Sequence, residues 1–175
     1  MNKIKRYIYI LFRPIFEFFE TNQRFRQMRF ELSRADKILL ANTKDGKHSL
    51  RIAGDTILRS ENQDGMEFTY SFWICIIDLQ HNQGEWKHIM HKGSPTSYPN
   101  RAPGVWLHPV KNSIRVYMNT FKNIGEFADL HNIPLGKWFH VAICCKQRNL
   151  DIYMNGNLAK RHVLSGLPNI FWLFL

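Results

Sequence analysis

The chain is expected to fold as an all-β jelly-roll sandwich of two antiparallel sheets. Three observations predict it. Apolar residues recur with a period of two in several runs, Gly, Pro and Asn turns separate those runs, and no long helical pattern appears after about residue 38. The 175 residues, 45% of them hydrophobic, suffice for one domain with a substantial core and a short appendage.

The first clear strand is "FTYSFWICII". Phe68, Tyr70, Phe72, Ile74 and Ile76 fall on one face, and Thr69, Ser71, Trp73, Cys75 and Ile77 on the other. Both faces are apolar or small, which predicts a central strand covered on one side and partly on the other. Next, "GVWLHPVKNSIRVYMNT" reads as a hairpin. Val105 and Leu107 share a face with Ile114, Val116 and Met118, which pairs Leu107 with Ile114 or Val116. A slip of one residue would set Leu107 against Arg115, so the pattern excludes it. "WFHVAICC" then places Phe139, Val141, Ile143 and Cys145 inward, with His140 opposite and Trp138 expected to cap the sandwich edge. The last hairpin, "LDIYMNGNLAKRHVL", turns inward Leu150, Ile152 and Met154. It reverses at Asn155-Gly156, a pair suited to a type I′ turn because both positions need positive φ. Asn157 is expected to extend that loop, with Leu158–Leu164 returning as the partner strand.

Residues 1–37 are expected to form a separate basic, amphipathic helical extension. They hold nine of the 24 Lys and Arg and four of the 14 Asp and Glu, a net of +5 in the first fifth of a chain with net charge +10. Ile8, Leu11, Ile15, Phe18 and Phe19 suit one helix face, with Pro14 as a kink. The apolar run is too short to span a bilayer, which takes about 20 residues, and it lacks the layout of a signal peptide. Its basic and aromatic residues fit contact with a membrane surface; the alternative is an extension that packs on the domain or on a partner. Nucleic acid is a side candidate for the head on charge alone, and no specific nucleic-acid contact is expected of the body. The three cysteines, Cys75, Cys144 and Cys145, do not make a disulfide framework and are expected to be free thiols. There is no Asn-x-Ser/Thr sequon.

Five stretches in order carry a resemblance: "EFTYSFWI", "WKHIMHKGS", "PGVWLHPVKNSIRVYMNT", "NIPLGKWFHVAI" and "LDIYMNGNLAK". Tyr70–Trp73, Pro134–Val141 and Tyr153–Gly156 are the most specific. Over roughly residues 38–168 the chain resembles the laminin G-like branch of the concanavalin A-like lectin/glucanase superfamily. Within it, the chain is similar to small lectin-like proteins of large DNA viruses and marine sequence collections. The resemblance implies a concanavalin A-like jelly-roll domain over 38–175, frequent glycan binding, and a place on a virion or another surface. It also implies further strands after "LSGLP", so the tail "NIFWLFL" is expected to be the stump of a domain cut short. The alternative is a short final strand on an open edge.

Catalytic patterns are missing. Retaining glycosidases need two carboxylates about 5–5.5 Å apart, which glucanase relatives supply from one strand as Glu-x-Asp-x-x-Glu or a close variant. No such cluster occurs here, and Glu126 and Asp129 are expected in a loop, so no enzyme is expected. P-loop, dinucleotide and nucleophile-elbow motifs are absent. His88 and His91 stand three apart, which on a regular strand puts them on opposite faces, so no zinc site is expected. No cofactor is predicted, although calcium is common among relatives and Asn62 and Asp64 are candidate ligands in the "SENQDG" loop.

The best binding candidate is the outer face of the "GVWLHPVKNSIRVYMNT" hairpin. Trp106, His108, Arg115, Tyr117 and Asn119 lie on the side away from Leu107. An aromatic platform beside amide and guanidinium donors suits a sugar ring, and equally suits an ordinary packed face with Arg115 stacked on Trp106. The "SPTSYPNRAPG" loop, with Tyr98 and Arg101, is expected to close over it. The expected function is a non-catalytic carbohydrate-binding module for a glycan or glycoprotein. The alternative is a structural domain that binds a protein partner through the same fold.

Overall fold

A computed structural model describes residues 46, 49–53, 61–62 and 65–169. The chain divides into two units, Met1–Arg59 and Ser60–Leu175, and every described strand belongs to the second. The expected helical head and the tail from Ile170 onward lie outside the described residues, as does Asp64; only the backbone of Asn62 is described.

Among the described residues, nine strands form two antiparallel sheets. They are β1 (Glu61–Asn62), β2 (Gly65–Cys75), β3 (Lys87–Gly93), β4 (Arg101–Leu107), β5 (Ser113–Met118), β6 (Glu126–His131), β7 (Trp138–Lys146), β8 (Asn149–Met154) and β9 (Asn157–Val163). One sheet has the order β1-β2-β7-β8-β9, with β1 contributing two residues, and the other the order β3-β4-β5-β6. The all-β sandwich expected from alternation is the fold observed.

Each inward row follows from the period of two. Phe139, Val141, Ile143 and Cys145 of β7 are buried, as are Leu150 and Ile152 of β8. They meet Val105, Leu107, Ile114, Val116, Met118, Ala128 and Leu130 from the second sheet in one core cluster. Burying such side chains contributes about 1.5–3 kcal/mol apiece, which is what fixes strand register. In β2, Phe68, Phe72 and Ile74 pack against this core, while Thr69, Ser71 and Trp73 are exposed. On that outer face Cys75 is half-buried and Trp73 packs on His140, so the face is partly covered, as its small and apolar residues suggest.

Leu107 pairs with Ile114, one of the two partners its pattern allowed. At the β8–β9 turn Asn155 and Gly156 have φ of 50° and 82°, as the turn requires. Asn157 pairs with Met154, so it opens β9 rather than lengthening the loop. Trp138 is 54% exposed and does not cap the edge. As the first residue of β7 it faces outward, beside neither sheet's core. All three cysteines are free.

Beyond β9 the chain crosses to the other sheet. Leu164 is fully buried, and Thr120 bridges Pro168. Glu126 secures this crossing: its carboxylate accepts from Ser165 N and Oγ, both at 2.7 Å, and from Thr120 Oγ1 at 3.2 Å, with His162 Nε2 also at 3.2 Å. Burial alone would raise its pKa, but the hydrogen bonds from Ser165, His162 and Thr120 outweigh it and hold the carboxyl below its ordinary value.

Candidate functional site

The outward face of the four-stranded sheet is built from two cross-strand rows. Register places His88, Trp106, Arg115 and Asp129 side by side across β3, β4, β5 and β6. The next row is His91, Gly104, Tyr117 and Phe127. Cross-strand neighbours on one face touch when their side chains are long or aromatic, and these do.

Gly104 leaves a gap in the second row, and the Trp106 ring fills it. A Cβ at Gly104 would lie 2.3 Å from Trp106 Cζ3 and 3.1 Å from Arg101 Cβ, so only glycine admits this arrangement. The ring then meets Tyr117 at 5.5 Å (84° between planes) and His88 at 5.2 Å, and stacks on His91 at 6.4 Å and 21°. Packed in this way, Trp106 is only 8% exposed although it faces away from the core.

His88 and His91 share this face, contrary to the expectation from their spacing. A β-bulge causes it. His88 pairs with Trp106 and Met90 with Val105, so Ile89 is an extra residue that shifts the alternation by one. His88 Nε2 lies 2.7 Å from His91 Nδ1, and His91 Nε2 lies 3.0 Å from the Ser94 carbonyl. Since that carbonyl only accepts, His91 carries its proton on Nε2 and receives one hydrogen bond on Nδ1 from His88. Partial burial among these rings, with a contribution from His91, lowers the pKa of His88.

Arg115 and Arg101 differ in their partners. Arg115 donates Nε and Nη2 to the two oxygens of Asp129 at 2.7 and 2.8 Å, a bidentate pair. Its guanidinium lies over Phe127 at 3.6 Å and near Trp86 at 4.9 Å, not on Trp106. The Arg115 hydrogen bond holds Asp129 below the usual carboxylate value despite partial burial. Arg101 lies over the Tyr117 ring at 3.7 Å and the Trp106 ring at 5.1 Å. Its Nε is buried without a hydrogen-bond partner, and among the described residues no carboxylate pairs with it.

The remaining candidates are placed differently. His108 turns its Nδ1 to the backbone N–H of Val110 and Lys111, at 3.1 and 3.0 Å, capping the β4–β5 turn. Its ring meets Trp86 at 5.0 Å. Asn119 is 1% exposed. Its side-chain oxygen accepts from Arg101 N and its NH2 donates to Pro99 O, so it fastens the loop before β4 and does not face outward with Tyr117. It falls one residue past the end of β5, where alternation no longer applies. Tyr98 is 63% exposed at the tip of that loop, between Ser97 with φ of 57° and the cis Tyr98–Pro99 peptide. Asn62 pairs with Gly65 through its backbone, and among the described residues no three His, Cys, Asp or Glu side chains converge on a point.

Trp86 was not legible as a site residue. It precedes β3, outside any alternating run, yet it is 41% exposed and adjoins His108, Tyr117 and Arg115. It extends the aromatic surface of Trp106, Tyr117 and Phe127.

The family model described as the concanavalin A-like lectin/glucanases superfamily, of laminin G type, matches residues 44–173. The chain belongs to this superfamily. No curated protein matches it. In this concanavalin A-like domain, the two carboxylates of β6 sit on opposite faces. Glu126 is buried and held by Ser165, while Asp129 faces outward and is held by Arg115.

Proposed function

We propose that the outward face of β3–β6 is a carbohydrate-binding surface and that the chain acts as a non-catalytic, lectin-like module. The observation that carries this reading is the cluster of rings on the side of the sheet turned away from the core, in which Trp86 and Phe127 are exposed and Tyr117 is backed by the buried Trp106. A purely structural sheet would place polar side chains there. A clustered, exposed apolar surface marks a binding site. A sugar ring presents C–H groups with partial positive charge, which suit the negative face of an aromatic ring, while its hydroxyls seek donors and acceptors at the rim. Arg101, His88 and the free edge of His108 supply that rim. A non-catalytic role is supported by the commitment of both β6 carboxylates, Glu126 to Ser165 and Asp129 to Arg115.

A second reading has its own observation. On the other sheet Trp73, Trp138, Leu158 and Val163 are exposed, which favours docking of a protein partner there. A glycan array on the full chain separates the two. Binding that is lost in Trp86→Ala and Tyr117→Ala supports the sugar reading. If no glycan is retained, or both variants bind as well as the parent chain, the partner reading takes its place.

A further inference from the structure

The geometry points to an acidic glycan as the ligand class of this face, with Arg101 holding a carboxylate or sulfate oxyanion of the sugar. The inference rests on the sugar reading above and narrows it. Arg115 and Arg101 occupy the same face, but only Arg115 has a carboxylate. Arg101 is stacked on Tyr117 and Trp106, its Nε is shut off from water, and no acidic side chain among the described residues pairs with it. Partial burial lowers its pKa, the mark of a cation kept without a counter-charge.

An uncompensated buried guanidinium is costly. Stacking over a tyrosine ring offsets part of that cost, and since Nε is shut off from water, the edge left for a ligand is the one formed by the two Nη groups. A bidentate oxyanion satisfies that edge best. His88 and His91 on the neighbouring strand have their N–H groups turned to each other and to Ser94, and the only acid in the two rows, Asp129, is neutralised by Arg115, so Arg101 is the one cation of these rows without a counter-charge among the described residues. The face therefore selects against a cation, is indifferent to a neutral sugar, and favours a negative one. Gly104 serves this arrangement by letting Arg101 and the Trp106 ring approach together over β4. The anchor sits at the first residue of β4, held in place by Asn119 through its backbone N–H.

The test is calorimetry on the full chain with three oligosaccharides of matched length: a neutral β-glucan, a polygalacturonate fragment and a heparin fragment. The second carries carboxylates alone and the third adds sulfates, so the two arms tell the oxyanion sources apart. Because the chain is basic, Lys160→Gln on β9 serves as the control for loss of one charge. Arg101→Gln is expected to weaken the acidic probes roughly ten- to a hundredfold, the worth of a charge-assisted pair. It should leave the neutral probe as it was, and Lys160→Gln should change little. Arg101→Lys, which keeps the charge and the stacking stem but not the fork, should lose most of the preference and covers the case in which the glutamine variant does not fold. Neutral binding as tight as acidic binding, or acidic affinity lost equally in Lys160→Gln and Arg101→Gln, overturns the assignment and leaves the sugar reading standing. Absence of binding to any oligosaccharide overturns both.

Discussion

His88 Nε2 and His91 Nδ1 lie 2.7 Å apart on the outward face of β3. The two rings share a single proton between these atoms, since His91 Nε2 already donates to Ser94. Protonating His88 would place the new proton on its Nδ1, since its Nε2 already donates to His91. Beside the pair stand Arg101 of β4 and Arg115 and Tyr117 of β5, with Asp129 of β6 bound to Arg115. Burial, with a contribution from His91, explains why His88 resists protonation.

A bound oxyanion reverses that sign. In the free protein the folded pKa of His88 lies below its ordinary 6.5, so its protonation opposes the fold and stability slips as pH falls below 6.5. With an anion on Arg101 the added proton is welcome. Affinity for the polygalacturonate fragment should therefore rise between pH 7.5 and 5.5, by roughly a few-fold. Calorimetry across that range checks it. His88→Gln should flatten the profile without abolishing binding at neutral pH.

Gly104→Ala tests how the face is built. The new methyl would collide with the Trp106 ring at 2.3 Å, so the ring must leave its place over β4. Overpacking of this kind costs about 1–3 kcal/mol. The sheet should survive, because Val105 and Leu107 still fill the core. Urea unfolding should report the loss, tryptophan fluorescence should shift, and sugar affinity should fall in parallel.

Glu126 makes the strongest claim on stability. Its carboxylate gathers donors from the chain on both sides of β9's exit, and Glu126→Ala would leave Ser165 N–H and neighbouring groups without an acceptor, costing about 2–3 kcal/mol. Because its folded pKa is depressed, the contribution is complete above the ordinary carboxylate value of 4.5 and is lost as pH falls through the lower folded value. Thermal melts from pH 7 to pH 3 should show that acid-side loss in the parent chain and a shallower one in Glu126→Ala. Sugar binding at neutral pH should be unchanged if the variant is folded.

Much of the sandwich was legible because its core strands alternate without interruption. The inward rows of β4, β5, β7 and β8 follow from Val105, Ile114, Phe139 and Leu150 and their neighbours at every second position, and the Asn155-Gly156 pair announces its own turn. The site was legible where it rides on those strands, at Trp106, Arg115 and Tyr117. It was not legible where alternation fails. Ile89 is an inserted bulge residue, and nothing in "KHIMHKG" distinguishes it from a regular strand position, so His88 and His91 were assigned to opposite faces. Asn119 lies one step past a strand end and turns to the loop before β4. Trp86 precedes its strand, and Arg101 reaches the face only because Gly104 leaves room for it. These are long-range placements, and a period of two carries no information about them.

The most direct measurement is the affinity of the full chain for an acidic oligosaccharide in the parent and in Trp86→Ala. Trp86 is exposed and lies outside the core, so its removal should leave the melting temperature nearly unchanged. Binding by the parent and a loss of about tenfold or more in the variant is the expected result. Equal affinity in the two, or no binding by the parent to any acidic or neutral sugar, would contradict a carbohydrate site on this face.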